Sequence, residues 1–312
     1  MSVSTSAPLT NTAIRQPRPS FIGLIKGELF KIVRQRSNWI MLLGVLGVLL
    51  LFWTAMLFIP TTKDALTNAP YQYLFSRLTN SLAFFRVFVG FFLIVMTARM
   101  IGLDYQQGTI RIILGRGVSR VALLLAKLLT VVIVALAVLV IGLAVDGILA
   151  LLMVSLNSGS LNAFSHLDNT FWSAIGTYIL VVMISMGATI LLATATTVLG
   201  RSLAFGLGLA MIFFPADNIG TAILGLISEV THNDFWLKVS MYLLGPNINF
   251  MPKLIVPTLT VPGTNLQIVA GSAGASPLLP VDGTHMLVVT LVYSVIFLAV
   301  AIIMTWRKDV LE

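Results

Sequence analysis

The chain has 312 residues, of which 58% are hydrophobic and 10% are charged. Soluble domains carry roughly 25% charged residues, so the composition excludes an ordinary soluble enzyme and favours a protein embedded in a bilayer. The net charge is +8, but the basic residues flank apolar segments, which predicts contacts with membrane lipids and not with nucleic acid. The absence of cysteine excludes disulfides, thiolate metal sites and cysteine nucleophiles.

Six apolar segments predict an all-α, polytopic membrane protein with six transmembrane helices, because a helix needs about 20 apolar residues to cross the bilayer core. Residues 1–19 are polar and predict a disordered cytoplasmic leader, and residues 20–312 predict one membrane-embedded unit. The fifth span is expected to be interrupted at Pro215, and residues 258–283 to form an irregular exposed segment. The predicted spans are about 39–59, 81–100, 121–145, 171–199, 203–228 and 286–306, with an outer loop over 229–285.

The distribution of basic residues predicts the orientation of these spans. With both termini in the cytoplasm of a multi-pass protein of the cell membrane, most of the 19 lysines and arginines fall on the inner side, as the positive-inside rule requires. Arg86 and Arg99 lie within the second predicted span, and we expect them to extend toward opposite headgroup layers. The exceptions on the outer side are Lys63, Arg77, Arg86, Lys238 and Lys253.

Residues 20–37, before the first span, predict an N-terminal amphipathic helix. Ser20 is a candidate N-cap, and basic residues such as Lys26 and Arg34 lie largely on the side opposite the apolar residues. The pattern is typical of a helix in the inner headgroup layer, and by itself it fits a simple juxtamembrane anchor equally well. The apolar residues that recur at helical spacing are Phe21, Leu24, Ile25, Leu29, Ile32 and Val33.

The loop over residues 101–120 predicts a second short cytoplasmic helix. Thr109 is the expected N-cap, Gly115 the expected left-handed C-cap, and Ser119 the expected cap of the third span. The apolar residues of this helix need a cover, either the membrane surface or a partner protein. They are Ile110, Ile113 and Leu114.

Two stretches resemble the permease subunits of ABC-2-type transporters. They are residues 27–31 (GELFK) and 104–111 (DYQQGTIR), the latter running on to Ser119, Arg120 and Lys127. Permeases of that family carry E-x-x-x-G-T, a hydrophobic residue and a basic residue after the second span. Here Asp104 stands where the family usually shows Glu, which keeps the charge on a shorter side chain. The six spans, the cytoplasmic termini and the long outer loop before the last span are similar too.

The resemblance implies the membrane subunit of an ATP-driven exporter. In such families the N-terminal helix and the loop after the second span contact a separate ABC ATPase, and a homodimer or a heterodimer of related permeases encloses the path. This chain has no G-x-x-x-x-G-K-[ST] loop, so we expect no catalytic residues and no cofactor of its own, with ATP bound by the partner subunit. The coupling residues implied are Glu28, Lys31, Arg34, Asp104, Gly108, Thr109 and Arg111.

Two acidic residues within apolar stretches leave other interpretations open. Asp146 and Asp217 either mark an outer helix end or break, or line the substrate path. An ion-coupled secondary transporter is an alternative, although such proteins usually show paired broken helices in repeated halves. A membrane-embedded enzyme is a weaker alternative: the histidines lie near aspartates, yet H-E-x-x-H and G-x-S-x-G are both missing.

Overall fold

The computed structural model describes residues 20–59, 62–158, 161–261, 264–272 and 274–307. The predicted leader over residues 1–19 lies outside the described residues. In chain order the elements are α1 (Phe21–Arg34), α2 (Arg36–Leu57), α3 (Thr62–Asn68), α4 (Pro70–Gln106), α5 (Thr109–Gly115), α6 (Arg120–Ser158), a 3-10 helix (Asn162–His166), α7 (Asn169–Gly200), α8 (Leu203–Thr231), α9 (Phe235–Ser240), α10 (Leu244–Ile255), β1 (Leu259–Thr260), β2 (Gln267–Ile268) and α11 (Gly283–Arg307).

Six helices of the described part are long and apolar enough to cross a membrane. They are α2, α4, α6, α7, α8 and α11, which confirms the predicted all-α, six-span architecture. A helix suits these segments because it satisfies every backbone polar group within itself, as the water-free bilayer core requires.

Several helices extend beyond the predicted span limits. At about 1.5 Å per residue, the 37 residues of α4 and the 39 residues of α6 cover about 55 and 58 Å, against a bilayer core of about 30 Å. The helix that carries the second predicted span begins at Pro70, and the helix that carries the third ends at Ser158, so both helices extend beyond the predicted spans 81–100 and 121–145. The interruption expected at Pro215 is also wrong, because α8 runs unbroken through that residue.

The centre of the bundle is the pair α4 and α7, which make the most extensive helix–helix contact among the described residues. Phe75 and Phe85 of α4 and Phe171 and Tyr178 of α7 are fully buried. The helix α8 packs closely on α7, where a Cβ atom at Gly206 would lie 2.2 Å from the Thr197 hydroxyl. Glycine is therefore required at that crossing.

The segment between α8 and α11 has more order than the sequence indicates. It contains α9, α10 and an antiparallel hairpin in which Leu259 faces Ile268. Both of these side chains are buried, and the hairpin strands contact α7 and α4. The expectation of an irregular, exposed segment over 258–283 is thus wrong for the hairpin, because its apolar residues complete the core.

Candidate functional site

A cluster of buried charges joins the N-terminal helix to two spanning helices. Lys127 Nζ, on α6, lies 3.2 Å from Glu28 Oε2 of α1 and also binds Asp104 Oδ2 of α4. Lys31 Nζ lies 2.8 Å from Glu28 Oε1 and 3.9 Å from Asp104 Oδ2. The side chains of Lys127 and Glu28 are 3% and 6% exposed, whereas that of Lys31 is 54% exposed. Two cations thus balance two carboxylates, as burial of charge requires.

Lys31 lies at the solvent-exposed edge of the cluster. Although burial alone lowers the pKa of Lys31, its hydrogen bond to Glu28 and the charges of Glu28 and Asp104 raise the pKa above its ordinary value. Lys31 therefore remains protonated throughout the physiological pH range. The Lys127 ammonium group also donates a hydrogen bond to the Met100 carbonyl oxygen at 3.0 Å.

Local hydrogen bonds define both ends of α1, and the helix packs against α6. The Ser20 hydroxyl accepts a hydrogen bond from Gly23 N at 3.0 Å, which confirms Ser20 as the N-cap. Glu28 and Ile32, four residues apart on one face, are the buried residues of the helix. At its C-terminal end the Asn38 amide donates to the Ile32 carbonyl at 3.0 Å. The junction of α1 and α2 is thereby fixed by side-chain hydrogen bonds.

Asp104 also binds the loop that carries α5. Its Oδ1 accepts a hydrogen bond from the Thr109 hydroxyl at 3.0 Å, and its backbone carbonyl accepts one from the same hydroxyl at 3.2 Å. The turn between them passes through Gly108, whose φ is +67°, a left-handed conformation that favours glycine. One carboxylate therefore connects α1, α4, α5 and α6.

The ends of α5 differ from the sequence prediction. Gly108 is the N-cap and not Thr109, since the Thr109 hydroxyl is engaged with Asp104. Gly115 is the last helical residue, and Gly117 takes the left-handed conformation instead, with a φ of +83°. Ser119 does cap α6, because its hydroxyl accepts from Ala122 N at 3.1 Å.

The apolar face of α5 is covered by the chain itself to a larger extent than expected. Ile110 is buried, Ile113 and Leu114 are half-buried, and the exposed apolar residue is Ile112. Ile110 lines a small cavity together with Ile101 of α4 and Leu124 of α6. The ends of α4 and α6 therefore cover part of the apolar face of α5, for which the sequence predicted the membrane surface or a partner protein.

The structure brings four of the seven predicted coupling residues into contact. They are Glu28, Lys31, Asp104 and Thr109, with Gly108 forming the turn between the last two. Arg34 lies outside the ion cluster, where its guanidinium stacks 4.9 Å above the Phe30 ring, but it lines the same groove of about 400 Å³ as Glu28 and Asp104. Arg111 belongs to α5, and its side chain lies outside the described part of the structure.

Lys127 belongs to the cluster but is not among the coupling residues that the sequence predicts. A lysine within the first turns of an apolar helix is usually interpreted as extending to the headgroups. The signal that identifies it is its charge inside α6 combined with two acidic residues, Glu28 and Asp104, on neighbouring segments.

Asp146 and Asp217 lie apart from this cluster and from each other. Asp146 is 3% exposed and accepts hydrogen bonds from Trp53 Nε1 at 2.6 Å and Ser81 Oγ at 2.5 Å. It does not mark a helix end, because α6 continues to Ser158. Asp217 lies within α8, and its Oδ2 accepts from Gly245 N at 2.5 Å, in the first turn of α10.

The six spanning helices define a polytopic membrane protein. The family model for ABC-2 family transporter proteins matches residues 24–217, a stretch that includes most of α1, the whole of α5 and the buried charge cluster. The chain therefore belongs to the ABC-2 transporter family and is an ABC-type transport permease. No curated protein matches the chain.

Proposed function

We propose that this permease is the membrane subunit of an ATP-driven exporter and that a separate ABC ATPase docks on the surface formed by α1 and α5. Two copies, or this chain and a related permease, enclose the translocation path in the cell membrane, with both termini in the cytoplasm. ATP is bound by the partner subunit. The ion-coupled transporter and the embedded enzyme remain the alternatives.

The observation that supports coupling most directly is the buried Glu28–Lys127–Asp104 cluster. Separating charges that are buried together leaves each one uncompensated in a poorly solvated environment, which is strongly unfavourable. Displacement of α1 by a docked ATPase is therefore expected to move α4 and α6 with it. Since Asp104 also binds Thr109, a displacement of α5 acts on the same carboxylate.

The exposed residues of α1 support its position at the membrane surface. Phe21, Ile22 and Phe30 are exposed apolar residues, and the basic residues Lys26 and Arg34 are exposed on the same helix. A helix of this composition binds the boundary between headgroups and acyl chains, and its basic residues attract anionic lipids. In that position α1 borders the cytoplasm, where an ATPase can reach it.

We expect the orientation to be measurable by cysteine labelling, because the natural sequence contains no cysteine. Lys26→Cys and Glu229→Cys place single thiols at exposed positions at opposite ends of the bundle. In intact cells a membrane-impermeant maleimide is expected to label Glu229→Cys and to label Lys26→Cys only after permeabilisation. Labelling of Lys26→Cys in intact cells would contradict cytoplasmic termini.

The proposed function is tested by purifying the tagged chain from its native membranes in mild detergent and identifying the proteins that accompany it. We expect a stoichiometric ABC ATPase that is released when residues 109–114 are deleted. Replacing Glu229 and Val230, which are exposed at the opposite end of the bundle, with alanine is the control that is expected to retain the partner. A chain that purifies alone and moves a solute in liposomes without ATP would overturn the proposal in favour of an ion-coupled transporter.

A further inference from the structure

A cavity of about 280 Å³ lies between α4, α7, α8 and α10, away from the charge cluster. This volume is close to the lower limit of small-molecule sites, which is about 300 Å³. Much of its lining is apolar, and polar side chains such as Ser185, Thr189 and Asn218 interrupt it. The apolar side chains include Phe91, Ile94, Met211, Phe214 and Ile248.

Arg86 lines this cavity and is 4% exposed. Its Nη1 donates to the Ile248 carbonyl at 2.7 Å, whereas its Nη2 is buried without a hydrogen-bond partner. Among the described residues, no carboxylate lies within 4.0 Å of the guanidinium. The hydroxyl of Tyr178, which interacts electrostatically with Arg86, is also buried without a partner.

This arrangement differs from the sequence expectation that Arg86 extends to a headgroup layer. Buried cations in membrane proteins are costly and usually pair with an anion or a polar group. Here one half of the guanidinium is satisfied by a backbone carbonyl, and the other half has a free donor beside a cavity. Arg86 Nη2 is therefore available to donate a hydrogen bond to a group that enters the cavity, and the uncompensated positive charge favours an anion.

We propose that the cavity binds an anionic amphiphile, with its phosphate or carboxylate group on Arg86 Nη2 and its apolar chain against Phe91 and Phe214. An anion compensates the buried charge through a charge-assisted hydrogen bond, and an alkyl chain fits the apolar lining. This inference rests on the proposed export function, for which it names a substrate class. The anion can belong to a membrane lipid or to an amphiphile that enters from solution.

The test uses the full chain in nanodiscs of zwitterionic phosphatidylcholine, with radiolabelled dodecyl phosphate as the probe. We expect saturable binding that Arg86→Gln weakens at least tenfold and that Arg86→Lys largely retains. Binding of dodecanol, which lacks the charge, is expected to be unaffected by Arg86→Gln. Equal binding of dodecyl phosphate by the natural chain and by Arg86→Gln would overturn the proposal.

A second variant tests the cavity without altering the arginine. Gly90 lines the cavity and has open space where a Cβ would lie, so Gly90→Leu is expected to fill it and to weaken binding several-fold. Gly47→Leu is the matched control, because Gly47 has equally open space on α2 but does not line the cavity. Equal loss of binding in both variants, or in neither, would contradict the assignment even if Arg86→Gln failed to fold.

Competition distinguishes the two sources of the anion. Displacement of the probe by phosphatidic acid added to the nanodiscs, but not by inorganic phosphate, supports a lipid ligand, whereas displacement by inorganic phosphate supports recognition of a soluble anionic group. These binding measurements need no ATPase. Failure of the binding measurements would thus leave the exporter proposal standing. Failure of the co-purification would leave the anion site standing as a binding site but would remove its role as a substrate site.

Discussion

Replacing Lys127 with methionine is expected to lower the free energy of unfolding by about 3–5 kcal/mol, because removal of one partner from a buried ion pair leaves uncompensated charge. Two carboxylates, Glu28 and Asp104, depend on this ammonium group, and its side chain is 3% exposed. Because methionine fills a similar volume, the decrease in stability results from the loss of the charge and not from a cavity. The measurement is the unfolding transition of the purified protein in detergent.

Lys31→Met is the matched control for this prediction. Lys31 contacts the same two carboxylates, but its side chain is 54% exposed, and exposed ion pairs contribute about 0–1 kcal/mol. Lys31→Met is therefore expected to lower the free energy of unfolding only slightly. Equal destabilisation by Lys31→Met and Lys127→Met would show that burial does not control the energetics of the cluster.

A combined variant separates stability from coupling. Replacing the three buried charges together, as Glu28→Met, Asp104→Asn and Lys127→Met, is expected to recover much of the stability lost in Lys127→Met, because apolar groups of similar volume often replace buried ion pairs without cost. The amide introduced by Asp104→Asn would still offer an acceptor to Thr109. If the cluster transmits movement, ATP-driven transport by this stable variant is expected to remain impaired. Full transport would contradict that role.

The number of spanning helices could be predicted from the sequence because the bilayer imposes one requirement, a run of apolar residues of sufficient length. The limits of α4 could not, since the turns at its two ends contain polar residues such as Arg77 and Asp104 and resemble loops. In α6 the apolar stretch continues past Asp146, and that single acidic residue favoured too short a span. The hairpin was missed for another reason. Its strands have two residues each, too few for a periodic pattern to be recognised.

The site could be predicted in part. The resemblance identified Glu28, Lys31, Asp104 and Thr109, which the fold does bring together. Lys127 and Arg86 are different, because in a linear sequence each is a cation near the end of an apolar segment. Only the packing of α1 on α6 and of α10 on its neighbours shows that both are buried, one with carboxylates and the other without.

Gly108→Pro is expected to abolish coupling, with at least a tenfold loss of ATP-driven transport, while the protein still inserts into the membrane. Proline restricts φ to about −65°, whereas Gly108 has a φ of +67° and donates its N–H to the Tyr105 carbonyl at 3.3 Å. The turn must therefore rearrange and draw Thr109 away from Asp104. Insertion is expected to persist because the apolar content of the spans is unchanged. Transport by the reconstituted complex and retention of the ATPase on the affinity resin are the measurements.

Two control variants separate backbone conformation from the loss of glycine. Gly108→Asn is expected to retain most activity, since asparagine tolerates the left-handed region better than other residues do. Gly115→Ala is expected to be neutral, because Gly115 has equally open space at its Cβ position but no positive φ. Gly108→Ala is expected to fall between Gly108→Asn and Gly108→Pro, because alanine at this φ carries a strain of about 1–3 kcal/mol. If all four variants transported equally, α5 would be a passive connection and the ATPase would have to act through α1 alone.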